Sequence, residues 1–329
     1  MIMKHKTIPI FVSHMGCPND CSFCNQRKIT GYSKTVTPEI ADKIIRESLN
    51  TIEKTEDVEI GYFGGSFTGI EEKLQEELLK TAYKYVLSGE VKSIRLSTRP
   101  DYVDKDKVDM LKSYGVETVE LGAQSMDDSV LLSNRRGHTS NDTIVASKTI
   151  LKGGLKLGLQ MMTGLYKDTD KGSVNTACEI IKLSPSCVRI YPTLVLKDTY
   201  LEELYKSGEY KPQTLEEAVC LCADLKEMFS SENISVIRMG LMSSDKINPD
   251  NDVVAGPYHP SFGELVQSKT YLKKLLEKVK KDCTIEVNPK SISAFIGNKK
   301  CNIYELKKLG FDVDFIQNED ILPDDFKIL

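Results

Sequence analysis

The sequence predicts an α/β protein whose main part is a parallel sheet, followed by a smaller α/β segment. Short apolar runs of β type recur along the first 240 residues, and each is followed by a segment with helical spacing of apolar residues. This alternation of strand and helix is typical of parallel sheets. A polar stretch rich in Asp, Pro and Gly after Gly240 then marks a boundary, which predicts domains 1–255 and 256–329.

Six or seven strands are expected, from seven apolar runs. In chain order they are TIPIFVS, VEIGYFGG, SIRLSTRP, TVELGAQS, LKLGLQMM, CVRIYPTLV and ISVIRMG. The helices between them carry their own signals, such as Thr37 and Pro38 at the start of the first helix and Gly115, Gly153 and Gly154 where later helices end. Periodicity does not separate a partial barrel from an open doubly wound sheet. In both, ligands gather at the carboxyl ends of the strands.

Polar residues follow most of the predicted strands. They are Gly64 to Thr68, Ser97 to Asp101, Gln124 and Ser125, Thr163 and Gly164, Tyr191 to Thr193, and Arg238. Because parallel strands end at one edge of a sheet, we expect these residues to share one site. Tyr191 and Arg238 are expected to face a substrate, and the alternative for each is packing or a salt bridge inside a barrel.

Composition limits the class of protein. The chain has 329 residues, 40% of them hydrophobic and 28% charged, with no long uncharged apolar run, so a soluble globular protein without a membrane span is expected. The N-terminal stretch lacks the pattern of a secretion signal, which predicts a cytoplasmic location. A net charge of −4 argues against a dedicated nucleic-acid binder. Lysines nevertheless outnumber acids by 11 to 4 between Lys269 and Lys308.

Three of the nine cysteines, Cys17, Cys21 and Cys24, cluster on the loop after the first strand. Without a secretion signal they are expected to be thiols or metal ligands. A structural zinc site needs four protein ligands, and His14 is the nearest candidate for the fourth. The cysteines could also be ordinary buried thiols. The third interpretation is an iron–sulfur cluster held by three thiolates, which leaves one iron open to a further ligand.

The loop, with Phe23 just before the third cysteine, resembles that of the radical S-adenosylmethionine enzymes. The resemblance implies a partial (β/α)6 barrel with a small α/β C-terminal domain. It also implies a 4Fe–4S cluster held by the three cysteines, whose fourth iron is chelated by S-adenosylmethionine. Reductive cleavage of that cofactor would give methionine and a 5′-deoxyadenosyl radical. A reductant protein such as a flavodoxin or ferredoxin is then the expected electron donor.

The resemblance extends to the segments expected to bind S-adenosylmethionine. In "FGGSFTG", Gly64, Gly65 and Ser66 match the turn whose backbone meets the methionyl ammonium, and glycine permits such close approach. Ser97 in "STRPD" stands where relatives have a glutamate that accepts from the ribose hydroxyls. The alternative for a Gly-Gly pair after a strand is an ordinary turn.

Two further residues follow from the same resemblance. Gln124 in "ELGAQS" matches a glutamine that faces the ribose. Arg135 in "SNRRGHT" matches an arginine that pairs with the methionyl carboxylate, for which its planar fork is suited. The alternative for Arg135 or Arg136 is a solvated arginine at a helix end.

A narrower resemblance concerns "SNRRGHT", "GLQMMTGL" and above all "RIYPTLVLKDTYLEELYKSGEYKP". These segments resemble the catalytic subunit of Elongator, a transfer-RNA uridine-modifying enzyme, more than oxygen-independent coproporphyrinogen oxidases. The resemblance implies modification of RNA, with transfer RNA as the first candidate. The roughly 75 residues after the boundary are too few for an acetyltransferase domain, so acetyl-derived chemistry is not implied.

The C-terminal segment reads as helix, strand, helix, turn, helix and strand, which resembles the minimal KH unit. That unit clamps a nucleic-acid backbone with a Gly-x-x-Gly loop. Gly297 supplies the first glycine, Lys300 stands at the second, and Lys299 and Lys300 are expected to face phosphates. The alternative is a small α/β cap with solvated lysines.

Two other functions remain open from the sequence. The barrel could act on a small molecule or a tetrapyrrole precursor, or the chain could be a non-enzymatic iron–sulfur protein that binds RNA, which Ser97 in place of glutamate favours. His138 and His259 are expected to be hydrogen-bonded structural residues, although histidine also suits acid–base roles.

Overall fold

The computed structural model describes residues 5–12, 15–18, 20–25, 36–53, 57–241, 248 and 250–329. Its main feature is a seven-stranded parallel sheet in the order β1-β2-β3-β4-β5-β6-β8. The strands of this sheet are β1 (His5–Phe11), β2 (Asp57–Phe63), β3 (Ser93–Thr98), β4 (Val116–Gln124), β5 (Lys156–Thr163), β6 (Cys187–Pro192) and β8 (Ser235–Met239). A short antiparallel pair, β7 (Val195–Leu196) and β9 (Val253–Ala255), lies beside it.

Helices connect successive strands of the sheet. They are α1 (Pro38–Leu49), α2 (Glu72–Leu87), α3 (Lys105–Ser113), α4 (Asp128–Ser133), α5 (Ser140–Lys152), α6 (Asp170–Lys182), α7 (Tyr200–Lys206) and α8 (Leu215–Ser231). The predicted start of α1 is confirmed: the Thr37 side chain caps it by accepting from the Ile40 N–H, and Pro38 occupies its first turn. Gly153 caps the end of α5, as predicted.

The sheet has an apolar face and a polar face, because successive side chains of a strand point to opposite sides. Ile60, Leu96, Leu121, Leu159 and Ile190, one from each of β2 to β6, are buried in the core beneath the helices. The alternate positions on the same strands carry charged and amide side chains. They are Glu59, Arg95, Glu120, Gln160 and Arg189.

Contacts across the polar face show that the sheet curls. The Arg189 guanidinium of β6 lies 5.0 Å from the ring centroid of Phe63 on β2, four strands away. In a flat sheet those strands would be about 19 Å apart. The sheet therefore forms a half barrel with its polar face inside, and the prediction of a partial barrel is confirmed.

A second unit follows the half barrel. It contains α9 (Phe262–Lys278), β10 (Cys283–Val287), α10 (Ile292–Ile296), α11 (Cys301–Lys308), β11 (Val313–Gln317) and β12 (Phe326–Ile328). Its three-stranded sheet has the order β11-β10-β12, in which β11 is parallel and β12 antiparallel to β10. We call α9 to β12 the C-terminal unit.

Helix α9 joins the two parts of the molecule. Phe262 and Val266 in its first half belong to the barrel core, whereas Tyr271 and Leu275 in its second half belong to the core of the C-terminal unit. The division at residue 255 remains a prediction, and a helix shared by both cores holds the two parts in a fixed relation. In the described part of the chain, every helix is too short or too polar to cross a membrane.

Candidate functional site

The cysteine loop begins at the carboxyl end of β1 and is held by two helices. Ser22 donates through its N–H and its hydroxyl to Asn134 at the end of α4, over 3.0 and 2.7 Å. The Ser22 carbonyl accepts from the N–H of Leu201 in α7 at 2.8 Å. These bonds fix the middle of the loop, between Cys21, which is buried, and Cys24, which is half-buried.

Two buried guanidinium groups surround the thiols. Arg136 Nη1 donates to the Cys21 Sγ at 3.1 Å and its Nη2 donates to the Gly122 carbonyl at 2.7 Å. Burial and the neighbouring Cys21 raise the pKa of Cys17, while Arg136 and Arg99 act to lower it. A cationic pocket of this kind compensates the negative charge of thiolates.

The three thiols lie on one short loop but are not gathered into a ligand set. Among the residues that the structure describes, no group of three or more His, Cys, Asp or Glu side chains is close enough to hold a metal ion. Residue 14, considered above as a fourth zinc ligand, lies outside the described residues. The assignment of Cys17, Cys21 and Cys24 as cluster ligands therefore remains a prediction from their spacing.

The Gly64–Gly65 turn after β2 packs directly against the cysteine loop. A Cβ atom at Gly65 would lie 2.3 Å from the Val12 carbonyl oxygen and 2.7 Å from that of Met15, so a side chain at this position would collide with the loop backbone. Ser66 donates its N–H to the same Met15 oxygen at 3.0 Å. The turn and the loop consequently form one rigid edge.

The Ser66 hydroxyl has an internal role. It is fully buried, lies 2.9 Å from the Thr98 hydroxyl, and accepts from the Arg99 N–H at 3.2 Å. These contacts tie the end of β2 to the end of β3. Ser66 thus positions the turn, whereas a direct contact of its hydroxyl with a cofactor is a prediction that these bonds do not favour.

Gln124 ends β4 with an unusual backbone and an unsatisfied side chain. Its φ is 65°, and the pairing of β4 with β5 shifts register between Gly122 and Gln124. Its Oε1 atom is buried and has no hydrogen-bond partner among the described residues. Buried polar atoms are nearly always paired with protein, water or a ligand, so this acceptor is available to a donor from a bound molecule. The contact of Gln124 with a cofactor remains a prediction.

The two adjacent arginines after α4 point in different directions. Arg135 has a φ of 55°, and its exposed guanidinium lies 3.4 Å from the ring centroid of Tyr200 at the start of α7. Arg136 is the buried arginine beside Cys21. The sequence predicts Arg135 for the methionyl carboxylate. The structure shows Arg136 beside Cys21 and Arg135 on the Tyr200 ring, and the role of Arg135 remains a prediction. The left-handed φ of Arg135, which the sequence pattern does not reveal, gives the two side chains different surroundings.

Inside the half barrel, Glu120 is the centre of a buried charge network. It accepts from Arg95 Nη1 at 2.8 Å and from Arg189 Nε and Nη2 at 2.6 and 2.8 Å. Arg95 Nε also lies 2.7 Å from Glu59 Oε1, which His5 contacts at 3.0 Å. Burial alone would raise the pKa of Glu120, but the two arginines outweigh burial and lower it, so the carboxylate is ionised.

Ser97 belongs to this network. Gln160 donates from Nε2 to the Ser97 hydroxyl at 3.0 Å and to Glu120 Oε2 at 2.9 Å. Ser97 is shorter than the glutamate that the resembling enzymes have at this position. Glu120 on the next strand supplies a carboxylate to the same region of the interior.

Tyr191 and Arg238 both lie near the network. Tyr191 follows Arg189 by two residues on β6, and Arg238 pairs with Arg189 in the register of β6 and β8. Burial raises the pKa of Tyr191, against the lowering effect of both arginines. The structure thus brings Tyr191 and Arg238 together in the barrel. Their contact with a substrate remains a prediction.

Lys299 and Lys300, which were predicted to face phosphates, lie in the C-terminal unit.

The two histidines differ in their surroundings. His259 Nδ1 accepts from the Ser261 N–H at 3.1 Å, which confirms a hydrogen-bonded residue at that position. His138 is buried, and burial together with Arg136 and Arg99 lowers its pKa to about 4. It is consequently neutral at physiological pH. Neither of its ring nitrogens has a hydrogen-bond partner among the described residues, so the hydrogen bond predicted for His138 is not observed.

Sequence reasoning missed Arg136, Glu120 and Arg189. A signal for the latter two was present, because each is a charged residue within an apolar strand. Glu120 lies four positions before Gln124, and Arg189 lies two positions before Tyr191, both of which were selected at strand ends. A charge on the inner face of a parallel sheet needs a partner, and that partner lies on another strand.

The half-barrel fold agrees with the families that this chain matches. Residues 12–177 match the Radical SAM superfamily, and residues 185–274 match the Radical_SAM C-terminal domain. The chain belongs to the Radical SAM superfamily, which makes it a radical S-adenosylmethionine enzyme by class.

The chain is similar to the following curated proteins and solved structure. A tRNA uridine(34) acetyltransferase of Methanocaldococcus jannaschii is 33% identical over 174 residues, which is 52% of this chain and 31% of the relative. An uncharacterized protein of the same archaeon is 31% identical over 252 residues, 73% of this chain and 76% of that protein. The structure of Methanocaldococcus infernus Elp3 with an N-terminal deletion superimposes with a TM-score of 0.64 at 23% identity, covering 84% of this chain and 64% of that one. The chain thus spans about a third of the length of that acetyltransferase.

Membership of the superfamily implies a 4Fe–4S cluster and S-adenosylmethionine. The residues present fit these groups on three observations: the Cys21 thiol beside the buried Arg136, a turn at Gly65 that excludes a side chain, and an unpaired acceptor on Gln124.

Proposed function

We propose that this chain is a radical S-adenosylmethionine enzyme that modifies RNA, with transfer RNA as its substrate. The observation that carries the proposal is the junction of three segments at one edge of the half barrel: the cysteine loop, the Gly64–Gly65 turn, and the end of β4 with Gln124. Arg136 bonds to the first and the last of these segments, and the turn packs against the loop.

Cys17, Cys21 and Cys24 would hold the cluster. The backbone of Gly64 and Gly65 would meet the amino group of S-adenosylmethionine. When bound, the cluster and cofactor supply an electron and a 5′-deoxyadenosyl radical able to abstract hydrogen.

The chain's own side chains orient this chemistry. Gln124 Oε1 is placed to accept from a ribose hydroxyl, because it is buried and otherwise unpaired. Arg136 would compensate the negative charge of the thiolate ligands and bind the methionyl carboxylate. Arg135, stacked on Tyr200, would support the start of α7.

The polar interior beneath this edge would receive the reacting part of the substrate. Glu120, Arg189 and Tyr191 present charge and hydrogen-bonding groups there, with Arg238 alongside. A polar interior suits a base edge better than an apolar molecule. Relatives named as tRNA uridine(34) acetyltransferases support transfer RNA as the substrate, and acetyl transfer is not proposed because this chain covers only 31% of the first relative.

The electron would come from a reductant protein such as a flavodoxin or ferredoxin, and the enzyme would act in the cytoplasm with its RNA. Both parts of the proposal follow from the class of enzyme.

The test uses anaerobically reconstituted, reduced protein and bulk transfer RNA from a strain that lacks the gene. Digested RNA is analysed by mass spectrometry, and release of 5′-deoxyadenosine is measured in parallel. The proposal expects a nucleoside of altered mass that appears only with S-adenosylmethionine and stays absent with Gln124→Ala. Cofactor cleavage without any change in the RNA nucleosides would refute transfer RNA as the substrate and return attention to small molecules.

A further inference from the structure

The C-terminal unit has a loop that neither the cofactor site nor the family match explains. The two matched regions end at residue 274, before β10 begins at Cys283. Strand β10 leads into α10, a short loop, α11 and then β11, which pairs parallel with β10 at the edge of the sheet. This is a βααβ unit with a four-residue loop, Gly297–Lys300, between its two helices.

The backbone of this loop is left-handed at three of its four residues. The φ angles are 80° at Gly297, 51° at Lys299 and 61° at Lys300. A Cβ atom at Gly297 would lie 2.5 Å from the Cys301 Sγ, so glycine is required there. Side chains seldom adopt this conformation, and such residues persist where the surroundings fix them and cluster at functional sites.

Asn302 holds the backbone of this loop in place. It is buried, and its Nδ2 donates to the carbonyl of Phe295 at 2.9 Å and to that of Ser268 at 3.1 Å. These bonds join the start of α11 to the end of α10 and to α9. The loop is therefore presented by a rigid base, and its two lysine side chains are exposed.

The loop lysines are free cations, unlike others nearby. Lys299 and Lys300 have no carboxylate within ion-pair distance among the described residues. Lys307 and Lys308, one to two turns further along α11, pair with Asp312 at 3.2 Å and Glu305 at 2.6 Å. Free charge in this helix pair is thus concentrated at the loop.

The acidic C-terminal stretch lies at the other end of α10. Asn288 donates to the Ile321 carbonyl at 2.7 Å, and the Ser291 hydroxyl bonds to the Pro323 carbonyl, which places residues 318–325 beside the start of α10. The loop follows the end of that helix. Negative and positive charge are consequently separated along α10, and an anion is attracted to the loop end.

An exposed aromatic side chain adjoins the lysines. Tyr304 is 57% exposed and lies in the first turn of α11, which begins directly after Lys300. Cations beside an exposed ring suit a polyanion that carries flat apolar groups, which describes single-stranded nucleic acid.

We propose that the Gly297–Lys300 loop and Tyr304 bind the backbone and one base of single-stranded RNA. Lys299 and Lys300 contact phosphates, and Tyr304 stacks on a base. In the KH unit, a Gly-x-x-Gly loop between two helices clamps a nucleic-acid backbone in this way, and here Lys300 stands at the place of the second glycine. Because α9 belongs to both cores, RNA held here has a fixed relation to the barrel. The role of this site in presenting a substrate rests on the proposed function, whereas the binding itself does not.

The test measures binding of a fluorescently labelled, unstructured single-stranded RNA to the full chain without cofactor, from about 50 to about 200 mM salt. Lys299→Ala/Lys300→Ala is compared with Lys307→Ala/Lys308→Ala, which changes the net charge equally but removes paired lysines. The loop variant should weaken binding about tenfold or more and reduce the slope of log K against log salt by about 1.4, the value for two phosphates of a single strand. The control variant should leave the slope unchanged.

Tyr304→Ala gives an independent readout. Loss of one stacked base should weaken binding by about 5-fold to about 150-fold with the salt slope unchanged. Equal effects of the two lysine variants, or an unchanged slope in the loop variant, would overturn the proposal, as would tighter binding of duplex RNA. RNA binding is measured without cofactor, whereas the proposed function is tested by release of 5′-deoxyadenosine. The two assays can therefore fail independently of each other.

Discussion

The Arg136 guanidinium bridges Cys21 and the end of β4: Nη1 donates to the Cys21 Sγ at 3.1 Å and Nη2 to the Gly122 carbonyl at 2.7 Å. One side chain thereby links the cysteine loop to the strand that carries Gln124. This bridge explains how residues more than a hundred positions apart can act on the same bound group.

Arg136→Gln should weaken binding of S-adenosylmethionine to the reconstituted protein by about 10-fold to about 150-fold, because a hydrogen bond to a charged group contributes about 1.5 to 3 kcal/mol. Arg135→Gln is the matched control and should change binding less than about threefold, since an exposed cation–π contact contributes about 0.5 to 1 kcal/mol. Equilibrium dialysis with labelled cofactor measures both. A larger loss in the Arg135 variant would assign the carboxylate contact to that residue.

Glu120→Gln should lower the free energy of unfolding by about 3 to 5 kcal/mol, because it removes the buried carboxylate that Arg189 contacts and leaves Arg95 with Glu59 alone. Glu117→Gln on the same strand is the control. Glu117 is half-buried and pairs with the exposed Lys156, so its loss should cost less than about 1 kcal/mol. Urea denaturation measures both variants, and equal effects would contradict a structural role for the network.

The same network makes a prediction for acid. Although burial opposes it, the arginines hold the pKa of Glu120 below its ordinary value of 4.5. A carboxyl whose pKa is lower in the folded than in the unfolded state stabilises the protein fully at any pH above its pKa in the unfolded state. That stabilisation is lost as the pH falls through its pKa in the folded state. The difference in stability between wild type and Glu120→Gln should therefore be constant above about pH 5 and shrink below about pH 4.5. A difference that grows in acid would contradict this sign.

Because of His138, the stability of the protein should decrease as the pH falls from neutral to mildly acidic values. Burial, Arg136 and Arg99 lower its pKa from 6.5 to about 4. The unfolded chain therefore takes up a proton first, and stability is lost as the pH falls from 6.5 towards 4. The loss should reach about 1 kcal/mol at about pH 5.5, where Glu120 does not yet titrate. In His138→Gln the loss should be absent, and an equal loss in both proteins would assign it to other groups.

Gly65→Ala should disturb the cysteine loop. Its methyl group would lie 2.3 Å from the Val12 carbonyl oxygen, so the turn and the loop must separate. We expect destabilisation of about 1 to 3 kcal/mol and lower iron retention after reconstitution. Gly263→Ala in α9 is the control: the nearest atom, the Met239 carbonyl oxygen, is 3.8 Å away, and the helix should gain slightly in stability. Full iron retention in Gly65→Ala would show that the loop forms its site without this turn.

The order of strands and helices could be predicted from sequence because alternation and capping are local. Thr37 and Pro38 begin α1 as expected, since a cap depends only on neighbouring residues. The inner face could not be assigned from the same pattern. Which charges meet there depends on the curl of the sheet, which brings Arg189 of β6 to Phe63 of β2.

The choice between Arg135 and Arg136 shows the same limit at the cofactor site. Two adjacent arginines are equivalent by residue type, and only the left-handed φ of Arg135 turns one outward and the other inward. Glu120 is a further example. The sequence contains it in the middle of an apolar strand, but its partners lie 25 and 69 positions away.

The most direct test of the account is release of 5′-deoxyadenosine from reduced, anaerobically reconstituted protein, with bound iron measured in the same samples. Wild type should retain about four irons and release the product, and Cys17→Ala/Cys21→Ala/Cys24→Ala should do neither. Four irons without product in wild type, or product from the triple variant, would contradict the assignment of this loop and its surrounding edge as the site of S-adenosylmethionine cleavage.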